Sequence, residues 1–263
     1  MALISLCGVP GSGKTLNATR IALKHYKHEN NIIKYCLTYV LSKVPKLKDK
    51  ICFEYYLKFP KRKINNVYSN YPILLDKRNH IYSNKITLWD LNNDYSFEPN
   101  ACIIIDEVQL YADSDEYKDK EVNKKLGRIA KFLQAHRHYG VKTIIFTSQN
   151  PSRIFKKARN ICESYFKQCK VINIPFTPIS IMRGIGYYDL DFYGRFIPKS
   201  HEEKKKLPFD YYKKIYFFNR NMIFKAYDSR YLSNYNYNKP LLDKGVYSSP
   251  KVSFDDLDVL FSE

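Results

Sequence analysis

Eight consecutive residues, Gly8-Val9-Pro10-Gly11-Ser12-Gly13-Lys14-Thr15, fit the spacing Gly-x4-Gly-Lys-[Ser/Thr] in full. The chemistry this pattern can do is phosphate binding. Its glycines let backbone N–H groups turn inward around phosphate oxygens. A helix opening at Lys14 adds its unpaired first amides, out to Leu16, and its positive end to the same anion. Lys14 is expected to reach the β- and γ-phosphates of ATP, and Thr15 to place its hydroxyl on Mg²⁺.

A second motif supplies carboxylates. Cys102-Ile103-Ile104-Ile105 is a compact apolar run that ends in Asp106-Glu107. Ligands of open α/β sheets collect at the carboxyl ends of such strands. Asp106 there is suited to hold the Mg²⁺ shell, and Glu107 to polarise an attacking water. Gln149 follows the apolar run Val141 to Ser148 and is a candidate for contact with the γ-phosphate or the water. Arg137 stands between His136 and His138. Residues two apart on a helix do not face each other, so the two histidines make a poor metal pair. Arg137 is instead a candidate for steadying the transferring phosphate, in its own or a neighbouring subunit.

The elements that must position these groups are readable from periodicity. Ala2 to Cys7 predicts a buried strand, Gly8 to Gly13 a loop, and Lys14 to about His28 a helix with Ala18, Ile21, Ala22 and His25 on one face. Ile32 to Leu37 and Ile64 to Ile73 read as strands, with a Lys-rich insertion at about 42–63 between them. Val122, Leu126, Ile129, Leu133 and His136 recur at helical spacing, with Gly140 as the stop. Val141 to Ser148 predicts a buried strand. Ser152 to about Cys169 reads as a second basic amphipathic helix with Ile154, Ala158, Ile161 and Tyr165 inward. The alternation argues an α/β fold, a mostly parallel sheet with helices on both faces. The expected division is a core at 1–172 and a small irregular or β-rich appendage at 173–263, ending in an acidic tail.

Composition bounds the partners. The chain has 263 residues, 44% of them hydrophobic, enough for one large domain or one with a small appendage. Its formal net charge is +18, an attractive field for polyanions. Nucleic acid, an anionic membrane face and an acidic partner all satisfy it, as does a general drift toward lysine. None of the six cysteines forms a Cys-x-x-Cys pair, which fits free thiols in a reducing compartment. There is no secretory leader and no apolar run near the ~20 residues that span a bilayer. A soluble, cytoplasmic chain without an integral membrane segment is therefore expected.

The motifs also come in a telling order. After the phosphate loop stand Val-Tyr-Ser-Asn-Tyr-Pro at 67–72, Ile-Ile-Ile-Asp-Glu-Val-Gln at 103–109, Ala-His-Arg-His-Tyr-Gly at 135–140, Thr-Ser-Gln-Asn-Pro-Ser-Arg-Ile at 147–154 and Lys-Ala-Tyr-Asp-Ser at 225–229. Together they resemble the zonula occludens toxin family of filamentous-phage assembly ATPases, which is similar to FtsK–HerA DNA pumps and viral genome-packaging ATPases. The resemblance implies a P-loop NTPase of the ASCE type, with a strand inserted between the two motif strands, acting as a homo-oligomeric ring. Many filamentous-phage members continue into a membrane span and an outer domain. This sequence shows neither, which favours a soluble motor that moves double- or single-stranded DNA into a shell, with a portal, capsid or assembly protein as partner. A phage-assembly ATPase recruited to a membrane export complex is the alternative in the same class. A small-molecule kinase is disfavoured by water-activating groups at Glu107 and Gln149, and a non-catalytic toxin-like interaction protein by the absent leader.

Overall fold

The computed structural model describes residues 2–30, 64–91, 96–112, 120–187 and 211–227. The expected strand at 32–37, the insertion at 42–63, the end of the 225–229 motif and the acidic tail lie outside the described residues.

An eight-stranded sheet forms the centre. Its strands are β1 (Ala2–Cys7), β2 (Val67–Ser69), β5 (Asn84–Lys85), β6 (Ala101–Ile105), β7 (Val141–Ser148), β8 (Ser164–Asn173), β9 (Ile179–Tyr187) and β10 (Tyr211–Asn219). Their spatial order is β10-β9-β8-β1-β7-β6-β2-β5, and β3 (Leu74–Asp76) with β4 (Ile81–Tyr82) makes a separate two-stranded ribbon. From β8 to β5 every pairing is parallel; β9 and β10 add on antiparallel. A parallel sheet is covered on both faces, which is why β1, β6 and the end of β7 read as near-continuous apolar runs. β7 lies between the phosphate-loop strand β1 and the Asp-Glu strand β6. This is the α/β fold of a P-loop NTPase with the inserted strand of the ASCE type.

Each face has its own core. Helix α1 (Lys14–Glu29) buries Leu16, Ala18, Ala22, Leu23 and Tyr26 against Leu6, Cys102, Ile104 and Ile145. On the opposite face α2 (Lys120–Ala135) buries Leu126, Ile129, Phe132 and Leu133 against Ile103, Ile105, Ile144 and Phe146. Each buried Leu, Ile or Phe among them contributes about 1.5–3 kcal/mol when removed from water. The α2 stripe is the one that periodicity predicts, and His136 extends it, buried just past the helix end. The chain then turns through Gly140, at φ +75°, into β7.

Two expectations need correction. The run Ile64 to Ile73 is a strand only over Val67–Ser69. The expected helix at 152–169 is a 3-10 turn at Pro151–Arg153, a one-turn helix α3 (Lys156–Arg159) and then β8. Ile154, Ala158 and Tyr165 do point inward, with Ile161 half-buried, but from different elements. The competing force is β1, whose outer edge needs backbone partners. Ser164 to Lys167 pair with Ile4 to Cys7 and satisfy it. The sheet then runs on across residue 172, since β9 and β10 continue from β8. A short helix α4 (Arg220–Phe224) packs Ile223 into the α1-side core.

Candidate nucleotide site

The parallel register assembles the site. Cys7 pairs with Ser148 and Ile105 with Phe146. The residues leaving these strands, Gly8, Asp106, Glu107 and Gln149, therefore emerge along one edge of the sheet, around the opening turn of α1.

The loop has the backbone a phosphate cradle requires. Gly8, Gly11 and Gly13 have φ of +154°, +74° and +87°. A Cβ at Gly8 would stand 2.7 Å from Ser12 Oγ and 2.9 Å from the Gln168 carbonyl, and one at Gly13 would stand 2.6 Å from Val171 Cγ2. Val9, Pro10 and Gly11 are exposed, whereas Ser12 and Lys14 are buried. Ser12 Oγ has no hydrogen-bond partner. The first turn of α1 carries no acidic residue, as suits an anion at a helix N-terminus. Leu16 sends its side chain into the core, so only its backbone amide can meet a phosphate.

Asp106 is the hub of the polar network. Thr15 Oγ1 donates to Asp106 Oδ2 at 2.9 Å, and Thr147 Oγ1 donates to Oδ1. Asn70 brackets the same residue, accepting from the Asp106 N–H at 2.8 Å and donating to its carbonyl at 2.9 Å. Burial pushes the Asp106 carboxyl up to about 6, with Thr147 pulling it down and the neighbouring charge of Glu107 pushing it up. A desolvated carboxylate against a threonine hydroxyl is a hard-oxygen set of the kind Mg²⁺ takes, with most of its shell left to water and phosphate. The orphaned Ser12 hydroxyl, the glycine cradle and this oxygen pair fit a Mg²⁺–triphosphate.

Glu107 sits in the left-handed region, at φ +48° and ψ +54°, where a non-glycine residue is uncommon. Its N–H donates to Thr147 Oγ1 at 2.9 Å, and Gln109 Nε2 donates to its carboxylate. Lys14 Nζ lies 3.6 Å from Glu107 Oε1 and donates to the Val9 carbonyl at 3.3 Å. The lysine is thus held over the loop, between the phosphate cradle and the carboxylate.

Gln149 is exposed just beyond β7, beside Gly8, whose N–H donates to the Ser148 carbonyl at 3.3 Å. Arg137 is not brought to this cluster. It precedes β7, and about 23 Å separates the ends of an eight-residue strand. There it pairs with Glu163 at 3.0 Å. His136 is buried with Nδ1 donating to the Leu133 carbonyl at 2.6 Å, and no cluster of metal-ligating side chains occurs among the described residues. Thr147 and Asn70 were not singled out from sequence. Both lie inside the motif stretches at 67–72 and 147–154, but their hydrogen bonds to Asp106 form only once β2, β6 and β7 are adjacent.

No helix among the described residues is long and apolar enough to cross a membrane. No curated protein matches the chain. Among solved structures, the N-terminal domain of zonular occludens toxin from Neisseria meningitidis is similar at 13% identity and a TM-score of 0.44, over 86% of this chain and 98% of that one. The genome packaging NTPase B204 from Sulfolobus turreted icosahedral virus 2 is similar at 14% identity and a TM-score of 0.30, over 66% of this chain and 76% of that one. The RadB recombinase is similar at 13% identity and a TM-score of 0.32, over 70% and 80% respectively. The sequence profile of the family described as zonular occludens toxin (Zot) matches residues 2–177. Spanning most of the sequence, and with it both motif strands and the phosphate loop, that match shows that the chain belongs to the zonular occludens toxin family.

Proposed function

We propose that this protein hydrolyses ATP with Mg²⁺ and uses the energy to move DNA, as a ring of identical subunits packaging a viral genome. The observation that carries the hydrolytic part is the convergence of Lys14, Thr15, Asp106 and Glu107 at one sheet edge, with Thr15 2.9 Å from Asp106 and Lys14 3.6 Å from Glu107.

Each residue has a role that its surroundings support. The loop amides from Gly8 to Leu16 bind the phosphates, and Lys14 neutralises the β- and γ-phosphates. Thr15 and Asp106 hold Mg²⁺, which supplies charge neutralisation and alignment of the phosphates. Glu107, partly exposed and fixed by Thr147 and Gln109, orients and deprotonates the attacking water. Gln149, at the same edge, positions that water or the γ-phosphate. The in-line attack needs little covalent help, so preorganised charge of this kind provides most of the acceleration. The DNA part rests on the motif order shared with the family and on the formal charge of +18.

The decisive measurement is ATPase activity of the purified protein with Mg²⁺ or with EDTA, each with and without duplex DNA. Mg²⁺-dependent turnover that DNA accelerates is expected. Turnover that no DNA alters would leave an NTPase and overturn the motor.

A further inference from the structure

On the sheet face opposite α1, helices α2 and α3 enclose a groove of about 580 Å³ whose lining includes Lys124, Arg128, Lys131 and Lys157 and no acidic residue. All four cations are exposed. Among the described residues none of them has a carboxylate partner. We infer that this groove is the track for a nucleic-acid phosphodiester strand. The inference rests on the DNA reading proposed above and adds where the strand binds.

Three features support a phosphate ligand. Lys124, Arg128 and Lys131 are four and three residues apart and so share one face of α2, where like charges repel rather than stabilise the helix. A polyanion in the groove removes that repulsion. The row spans about 10 Å at 1.5 Å per residue, and a duplex strand places a phosphate every ~3.4 Å of axis, so three cations meet about three successive phosphates. Gly127 lies between them in the middle of α2, where glycine costs about 1 kcal/mol relative to alanine. A Cβ there would stand 3.5 Å from Lys157 Nζ. The ammonium from α3 thus comes up to α2 beside Gly127 and extends the row into a four-cation surface. Gln134 and Asn160 at the rim supply neutral donors of the kind that also contact phosphates.

The groove also has a mechanical link to the nucleotide. α2 follows the Asp-Glu end of β6, and α3 follows Gln149 at the end of β7, so both walls continue from strands that carry the candidate site.

Binding of fluorescein-labelled single-stranded and duplex DNA to the full chain, measured by anisotropy from 25 to 200 mM salt without nucleotide, tests the proposal. The variant carries Lys124→Gln, Arg128→Gln, Lys131→Gln and Lys157→Gln; a control carries Lys27→Gln, Lys77→Gln and Arg78→Gln, from a second basic surface near α4. In the groove variant the log–log salt slope should become shallower by about 0.9 per lost contact on duplex, or about 0.7 on a single strand, which is a total of about 3 to 4. The control should bind like wild type, and basal Mg²⁺-ATPase should be unchanged in both. If wild type binds DNA and the groove variant retains its slope, the groove is not the track and the motor reading stands. If wild type binds no DNA at 25 mM salt, both the motor reading and the track fall. If polyglutamate displaces the DNA at equal charge concentration, the groove is a dock for an acidic protein and the track is overturned.

Discussion

Replacing Asp106 by Asn should make the nucleotide-free protein more stable at pH 8 while abolishing its Mg²⁺-dependent turnover. Burial raises this carboxyl from 3.8 to about 6. A folded value above the unfolded one means that the native state holds the extra proton between those two pH values. Stability therefore falls as pH rises through that window and stays reduced above it. At 1.36 kcal/mol for each tenfold change in the protonation equilibrium, holding the anion at pH 8 costs about 3 kcal/mol, and at pH 4.5 about 1 kcal/mol. The asparagine oxygen still accepts one of the two threonine hydroxyls, and losing the other hydrogen bond costs about 1 kcal/mol. The variant should thus match wild type at pH 4.5 and exceed it by about 2 kcal/mol at pH 8. Urea denaturation in EDTA at the two pH values measures this, and titrations common to both proteins cancel in the difference. If the two proteins change equally between pH 4.5 and 8, burial does not raise the Asp106 carboxyl and the reasoning from its buried charge is wrong.

The other expectations concern single positions. Lys14→Ala should lose ATP binding, read by titration with a fluorescent ATP analogue, because the phosphates lose the ammonium held over the loop. Glu107→Gln should bind ATP as wild type does and turn it over about 10²- to 10⁴-fold more slowly, the contribution of a general base; an unchanged kcat would assign the base elsewhere. Arg137→Ala tests a trans-acting arginine: inactive alone, it should regain partial hydrolysis on mixing with Glu107→Gln subunits. Because β7 separates Arg137 from its own loop, full DNA-stimulated activity of Arg137→Ala would move the role to Arg153, which follows Gln149 at the nucleotide edge. Gly184→Ala should lower the melting temperature, since its Cβ would meet the Phe166 ring at 2.1 Å and the Lys167 carbonyl at 3.1 Å; overpacking of this kind costs about 1–3 kcal/mol.

The backbone of the glycine loop was legible in the sequence because it is local. Turn, amide nest, helix start and Lys14-Thr15 are contiguous, and the glycine requirement is set by backbone conformation rather than by distant packing. Strands β1, β6 and β7 were legible for a related reason: a strand covered on both faces must be apolar throughout, and the α2 stripe declares its own period. Tertiary structure decided the rest. The segment after Arg159 has residues at helical spacing, yet β8 forms there because the free edge of β1 offers a backbone ladder that no local propensity outweighs. Asn70 and Thr147 joined Asp106 only when strand order put β2, β6 and β7 side by side, since a hydrogen bond across 36 or 41 residues leaves no periodic trace. Arg137 shows the same limit from the other side. Its motif is conspicuous in sequence, but an eight-residue strand places it at the far edge of the sheet. Proximity to the phosphates is a property of strand direction, which the parallel pairing of β7 with β1 and β6 sets.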